Sequence, residues 1–551
     1  MQTNPLVRPL TPRIVADSCA GLWGAASFYN YPILGRPERD APMEVSLAIW
    51  RDRAKWLDQN RFKHLHADRD ELIRVIEQQM QRWGSISASM RIALDQARSP
   101  DCLFVLGGQQ CNLFAGPMLI VYKVISTIRT AKQATKRLGR PVLPVFWLAS
   151  EDHDWDEVNH LYVANANHAP QKIGFTDRPD LIPVSEIGRS DDQWKELLEQ
   201  ILQVLPTTDF TAESMEMLRT AVKGAISITD ACAKLLMFWF KEERLIVFDA
   251  HDPNVRTLEK PMFNELMDRN EQLRQSLLEN EKKLHKHGFQ SGVMWEEKCT
   301  HLFIVHRGRR RLLFADGVDG VTDKRKEVQF SWDALKVQLA ENPETFSNNV
   351  LSRPIMQEFL FPTLSVILGP SELAYWSVLN PALELFGMHE PPLISRRAYQ
   401  IIEGPVERMF EKHGVSPEYL LEDGERRKQV WIDDHSDIIV QTAIELWQKE
   451  IKMAYLRLER QVKNRLPELL THIQANEEKV SEQMNYLVRK LDQNQRQILE
   501  SGIRQWERML NAIVPNGKPQ ERVYHPISYI NKYGVEWFQG WIRSLIEEDI
   551  Q

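Results

Sequence analysis

A doubly wound α/β fold carrying a long helical arm is what three stretches of this 551-residue sequence predict. The first runs from Cys102 to His160. It opens with an apolar run, Cys102 to Leu106, short enough for a strand buried on both faces. Gly107 and Gly108 follow, where a sharp turn is expected. After Gly116-Pro117 come apolar residues at helical spacing, Leu119, Val121, Val124, Ile125, Ile128 and Ala131. Gly139-Arg140-Pro141 ends that helix, and Val142 to Leu148 reads as a second strand. Strand, Gly-rich loop, helix, strand is the parallel crossover of a nucleotide-binding sheet. The second stretch, Leu364 to Leu368 followed by Gly369-Pro370-Ser371-Glu372, repeats that logic. In the third, Ile444, Trp447, Ile451, Tyr455, Leu458 and Val462 recur at three- and four-residue steps, resuming from Leu466 to Leu510. The class is therefore α/β, a Rossmann-like doubly wound parallel sheet with inserted connecting segments, plus a C-terminal α-helical coiled-coil arm.

Taken in order, residues 1–100 form an N-terminal helical leader packing on the core, with Leu72, Ile73, Val75, Ile76, Met80 and Trp83 on one apolar face. The aromatic loop Phe28-Tyr29-Asn30-Tyr31-Pro32 reads as a clamp for that leader. Residues 101–430 form the core, with insertions at about 161–211 and 285–345. A helix is expected from Thr211 through Lys241, a buried strand from Arg244 to Asp249, and a helix from about Val255 to His285. Leu302 to Val305 and Arg311 to Phe314 flank His306-Arg307-Gly308-Arg309-Arg310, a hairpin with a basic tip. The tip reads as a solvated turn; the alternative is a lid whose arginines reach a carboxylate or phosphate. The arm covers 431–515. Pro467 fits the first turn of a new helix, so an antiparallel hairpin turning near Asn464 to Pro467 is preferred over one kinked helix. Residues 516–551 return to the core. An arm of this type cannot bury its seam alone, so a homodimer is expected.

Composition narrows the function. The 69 basic and 76 acidic residues give a formal charge of −7, against nonspecific nucleic-acid binding. Five cysteines without CxxC spacing suggest a reducing cytoplasm. The N-terminus lacks a signal-peptide core and no apolar run reaches membrane-spanning length.

Glu151-Asp152-His153-Asp154-Trp155-Asp156 ends the second strand. Ligands of open parallel sheets collect beyond the carboxyl ends of the strands, so this cluster and the Gly-Gly-Gln-Gln loop are expected to share a crevice. The helix N-terminus at Gly116-Pro117 would favour an anion there. The cluster can bind substrate or do acid–base work through His153. It can equally cap a following helix, or hold a metal. Gln109 and Gln110 suit sugar hydroxyls, an amino acid or a nucleobase edge. Lys123 reads as a surface lysine or as a point charge for a carboxylate or phosphate. Glu372 reads as a helix-dipole acid or as a ligand for an ammonium group.

GGQQ at 107–110, FAGP with Tyr122-Lys123, and PVFWLASEDHDWDEVNH ending at His160 resemble the signature of the bacillithiol synthase family, the bacterial cysteine ligases of bacillithiol biosynthesis. FSNNVLSRPIMQE from Phe346, LGPSELAYW from Leu368 and PNGKPQERVYHPISYINKYG near the end match too, so the resemblance spans nearly the whole chain. Gly107 stands where family members often carry Thr, and Ser371 interrupts a usual Gly-Pro-Gly-Glu. The resemblance implies a carbon–nitrogen ligase that adds L-cysteine to glucosaminyl malate in the last step of bacillithiol biosynthesis. Within the acid/His cluster, His153, Asp154 and Asp152 are the candidates for catalysis. Substrate binding falls to Gly108, Gln109, Gln110, Gly116, Pro117, Lys123, Asn159, His160, Asn349, Arg353, Gly369, Glu372, Tyr375 and Trp376, with no metal ligands assigned. Amide formation in water is uphill, so ATP is the expected cofactor. The HxGH pair of class I nucleotidyl-transfer enzymes is missing, with Phe114-Ala115-Gly116-Pro117 in its place. The implied partners are cysteine, glucosaminyl malate, ATP and a second copy of the chain, in the cytoplasm, with no nucleic acid and no membrane. Two other readings stay open: a metal-dependent hydrolase or nucleotidyltransferase using Asp152, His153 and Asp154, and a non-catalytic dimeric scaffold built on the arm.

Overall fold

The structure is a computed structural model describing residues 6–9, 46–288, 291–293, 296–317, 320–436 and 439–548; the aromatic loop at 28–32 lies outside them. The chain divides into two units, one of Val7–Gln400 with Glu521–Gln551, the other of Ile401–Gln520 with the first six residues.

The larger unit begins with helices α1 (Leu47–Asn60), α2 (Arg69–Trp83) and α3 (Ala88–Arg98). Asp68 and Ser87 accept from the backbone N–H groups of Glu71 and Met90, so the free donors at the starts of α2 and α3 are partly met. Then come β1 (Leu103–Gln110), α4 (Met118–Leu138) and β2 (Val142–Ala149), the crossover read from the sequence. β3 (His160–Ala164) and β4 (Pro170–Gly174) make a hairpin, followed by α5 (Asp191–Val204), α6 (Thr211–Val222) and α7 (Ile228–Trp239). The single helix expected over Thr211 to Lys241 is thus two, broken at Gly224, whose φ of 67° lies in the left-handed region. β5 (Ile246–Asp249) returns to the sheet, and α8 (Pro253–Asp268) and α9 (Asn270–Lys286) replace the one helix expected next.

An antiparallel sheet follows, built from β6 (Cys299–His306), β7 (Arg309–Asp316), β8 (Gly320–Asp323), β9 (Gln329–Ser331) and, after α10 (Trp332–Glu341), β10 (Phe346–Asn348). Its order is β9-β8-β7-β6-β10. After α11 (Arg353–Leu360) come β11 (Thr363–Leu368), α12 (Pro370–Trp376) and β12 (Leu393–Ser395). The parallel sheet runs β12-β11-β1-β2-β5. Both faces are covered: Phe104, Leu106, Val145 and Phe248 face one core, and Leu103, Val105, Leu364 and Ile367 the other. That alternation is why these strands are almost wholly apolar.

One expectation fails at the first loop. Gly107 and Gly108 do not turn the chain; β1 runs straight through them, with Gly107 opposite Phe146 and Gln110 opposite Ala149. Their missing side chains serve close approach instead. A Cβ on Gly107 would overlap the Thr127 hydroxyl of α4, and one on Gly108 would lie 3.0 Å from Trp147. The turn comes later, at Phe114 and Ala115, both left-handed with φ of 55° and 57°. Side chains with a Cβ rarely adopt that conformation, and the C-terminal segment holds it in place. Ile527 N–H donates to His525 Nδ1 (3.0 Å), so His525 Nε2 carries the proton and donates to the Phe114 carbonyl at 2.8 Å. Tyr524 O accepts from Met118 N–H at 3.0 Å.

In the smaller unit, α13 (Gly404–His413), α14 (Pro417–Ser436), α15 (Ile439–Val462) and α16 (Leu470–Ile513) follow in order. α15 and α16 form the antiparallel hairpin, with Gln448 bonded to Asn485 and Tyr455 to Asn476 across it. Pro467 opens the 3-10 turn Pro467–Leu469 that joins them. At the base, Val406, Phe410, Leu420, Trp506, Met509 and Leu510 form a separate core.

Candidate active site

A crevice of about 460 Å³ opens beyond the carboxyl ends of β1 and β2 and is walled by β6, β7 and β10 of the antiparallel sheet. Its floor follows from the corner after β2. Ser150 donates to Asp249 at the end of β5, and His251 N–H returns to Ser150 Oγ at 3.2 Å. Glu151 is buried at that corner, 3.8 Å from Arg256, which also pairs with Glu259. Burial pushes Glu259 up to about 7 against the pull of Arg256.

Asp152 points into the crevice and accepts from Gln110 Nε2 at 2.6 Å, Arg310 Nη1 at 3.2 Å and His153 N–H at 2.8 Å. Burial would raise its carboxyl pKa, but Arg310 and these hydrogen bonds together hold it below the usual range. Arg310 is itself buried. Its Nε donates to Ser347 Oγ (3.0 Å), Nη2 to the Asn348 carbonyl (2.8 Å) and Nη1 to His153 Nδ1 (3.1 Å), while the guanidinium lies 3.7 Å from the Phe303 ring centroid. Burial and the Arg310 charge both lower the His153 pKa.

Behind the opposite wall Lys123 is buried outside the crevice lining, donating to Gly108 O at 2.6 Å, Gln109 Oε1 at 3.2 Å and the Glu372 carboxylate. Glu372 Oε2 also accepts from Gly369 N–H at 2.7 Å. Lys123 is therefore an internal cation, and the ammonium that Glu372 binds is that of Lys123. Arg353 differs. It bonds to the Tyr375 hydroxyl and Gln357 Oε1, both at 3.2 Å and both neutral, and its charge faces the crevice beside Trp147.

Nine of the residues assigned from the sequence line this crevice: Gly108, Gln109, Gln110, Asp152, His153, Asn349, Arg353, Glu372 and Tyr375. The others do not. Asp154 is exposed and caps the short helical turn Trp155–Val158 through Glu157 N–H. Asn159 and His160 bond to each other at 3.0 Å. Gly116 packs against His525, and the helix start behind Pro117 is covered by Tyr524, so the expected anion site there is closed. Gly369 and Trp376 hold the start and the buried face of α12. Sequence reasoning left out Trp147, Asn348, His301 and Phe303, and named Arg310 only within the basic hairpin tip, where reaching a carboxylate was the second reading. The expected solvated tip holds only its first residues: Arg309 pairs with Asp180, but Arg310 turns inward to Asp152. The signal was available, since three consecutive strand residues cannot all face the same way.

Four buried atoms of the lining lack a hydrogen-bond partner among the described residues: Trp147 Nε1, Asn348 Oδ1, Asn348 Nδ2 and Glu151 Oε2. Unpaired buried polar atoms are costly in a finished core, and these four sit where a polar ligand in the crevice would meet them. Among the described residues no group of three His, Cys, Asp or Glu side chains is arranged to hold a metal ion.

Two family models match the chain. The N-terminal Rossmann-like domain of the bacillithiol biosynthesis protein BshC covers residues 43–397, and the C-terminal coiled-coil domain of the same protein covers 399–550. The chain belongs to the BshC family. A Bacillus cereus (strain B4264) relative named "Putative cysteine ligase BshC" is 31% identical over 79% of this chain and 80% of its own. A Bacillus cytotoxicus relative of the same name is 30% identical over 79% and 81%. The first family domain holds the parallel sheet with its crevice; the second holds the helical hairpin and also the residues from Glu521 onward, which belong to the larger unit. Among the described residues no helix is long and apolar enough to cross a membrane.

Proposed function

We propose that this protein is a cytoplasmic ligase that joins the carboxyl group of L-cysteine to the amine of glucosaminyl malate in the last step of bacillithiol biosynthesis. The observation that carries the reading is the set of unpartnered buried polar atoms in the crevice, Trp147 Nε1, the Asn348 amide and Glu151 Oε2. Together they ask for a ligand bearing both donors and acceptors, as hydroxyls and amines do. Arg353, a permanent cation whose hydrogen-bond partners are neutral and whose charge the nearby Glu372 and Glu151 carboxylates balance only through space, suits a substrate carboxylate. Coupling to ATP is part of the proposal because the condensation is uphill. The crevice itself does not fit a triphosphate. Glu151, Asp152, Glu296 and Glu372 line it, while Lys123 and Arg310 are already engaged with carboxylates. No step is therefore derived through the nucleotide.

Incubation of purified protein with cysteine, glucosaminyl malate and ATP should yield bacillithiol by mass spectrometry, and no product under any of these conditions would overturn the proposal. Arg353→Met should raise KM for the carboxylate-bearing substrate by about 10- to 100-fold, the worth of a charge-assisted hydrogen bond.

The proposal includes a homodimer formed through the arm. Leu446, Trp447, Leu458, Tyr486, Leu487 and Leu491 are exposed along α15 and α16, and a second copy offers the same apolar surface for burial.

A further inference from the structure

Arg310 settles which proton His153 can move. A guanidinium is always protonated and can only donate, so the 3.1 Å contact from Arg310 Nη1 makes His153 Nδ1 an acceptor. Asp152 Oδ1 lies 3.7 Å from Nδ1, too far for a hydrogen bond. Arg310 is not free to swing away. It is 5% exposed, and Ser347 Oγ, the Asn348 carbonyl, Asp152 Oδ1 and the Phe303 ring hold it from four sides. With the Nδ1 lone pair taken, a neutral ring carries its proton on Nε2, and Nε2 has no hydrogen bond to another described residue.

We infer that His153 works as a neutral hydrogen-bond donor through Nε2, fixed in that tautomer by Arg310, and polarises the acyl oxygen of the bound carboxyl group rather than taking the proton of the amine. The acyl-oxygen clause rests on the ligase reading above; the tautomer does not. The charged groups facing the ring are Arg310, Asp152 and Asp154, and burial together with Arg310 outweighs the two carboxylates, which keeps the ring neutral. Donors aimed at a developing oxyanion in a site of low polarity are among the strongest contributors to acyl transfer. As the amine nitrogen bonds to the carbonyl carbon, that carbon's bond to its second carboxyl oxygen breaks, and the oxygen leaves with the phosphate that the ATP-coupled activation placed on it. The proton released from the nitrogen goes to a carboxylate instead. Asp152 is bonded to Gln110 and Arg310, Glu372 to Lys123, and Glu296 is paired with Lys324. Glu151 meets Arg256 through Oε1 alone, at 3.8 Å, while its Oε2 is buried at the crevice lining with no hydrogen bond among the described residues, so Oε2 is the acceptor left for that proton. Arg310 is on this account a positioning residue that acts through His153.

Two measurements test this. Nitrogen-15 spectra of histidine-labelled wild-type protein, with the His153 signals assigned by their loss in His153→Gln, report the tautomer without any turnover. The expected result at neutral pH is a protonated Nε2 and a bare Nδ1. A protonated Nδ1, or an imidazolium, overturns the inference. In Arg310→Lys, which keeps the charge but loses the fork, the two tautomers should mix, and an unchanged spectrum would show that Arg310 is not the lock. Kinetics then separate donor from base. His153→Gln retains an amide N–H and should lose no more than about tenfold in kcat, whereas the acceptor His153→Glu should lose about 10²- to 10³-fold, the usual cost of one oxyanion donor. The reverse order, with Glu the better replacement, would make His153 a base. Absence of ligase turnover in the wild type would instead remove the acyl-oxygen role, leaving the spectra to decide the tautomer.

Discussion

Asn348 and Asn349 are neighbours with the same side chain, and the fold gives them opposite tasks. Asn349 spends its amide locally: Oδ1 accepts from Leu351 and Ser352 N–H, and Nδ2 reaches His301 Nδ1 at 3.0 Å. Asn348, buried at the end of β10, keeps both amide atoms unpaired toward the crevice. His301 and His525 illustrate a different residue-level cost. Burial pushes each down to about 4 from an ordinary 6.5. Between those values the unfolded chain binds protons that the folded chain refuses. The stability is thus complete above 6.5 and is lost as the pH falls toward 4, by up to about 3 kcal/mol for each histidine. Denaturant unfolding should therefore show a core weaker at about pH 5 than at neutrality by about 2 kcal/mol per histidine. His525→Gln keeps a donor for the Phe114 carbonyl but cannot titrate, and should remove about half of that slope.

At the level of elements, β1 shows how a loop signal can disguise a packing constraint. Two consecutive glycines followed by amides look like a turn, yet the chain stays extended because β2 pairs with it as far as Ala149. The glycines exist because α4 and Trp147 press against the strand. Gly107→Ala should cost about 1–3 kcal/mol by overpacking. Adding Thr127→Ala, which removes the hydroxyl in the way, should recover at least half of that loss. If the two effects simply add in thermal or denaturant unfolding, the close approach is not the reason for Gly107. The hairpin arm was readable because its signal is local: apolar steps of three and four, and a proline where one helix must stop.

For the whole molecule, the informative feature is the amount of apolar surface left on the arm. Leu446 is 58% exposed and Leu487 43%. A seam of this kind on a lone chain invites association, so sedimentation at micromolar concentration should find a dimer. Leu446→Glu with Leu487→Glu should shift it to monomer while leaving the helical signal in circular dichroism largely intact. A wild-type monomer would count against the dimer without touching the crevice, which lies wholly within the larger unit.

The sequence alone determined the α/β class, the crossover from β1 to β2, the hairpin arm and the family, because each rests on short-range periodicity or on contiguous motifs. It also placed Gln110, Asp152 and His153 in one crevice, since strand ends in a parallel sheet converge by topology; Arg353, at the start of a helix, entered only through the family's motif. The tertiary structure alone decided what these groups can do. Arg310 lies 157 residues from His153, and Glu372 lies 249 from Lys123. Tyr524 and His525 close the α4 start from the far end of the chain. Whether a lysine is a surface charge or a buried internal cation, and which nitrogen of a histidine holds its proton, depends on what is brought within about 3 Å of it. Contacts that distant in sequence leave no periodic trace, so only the folded chain could reveal them.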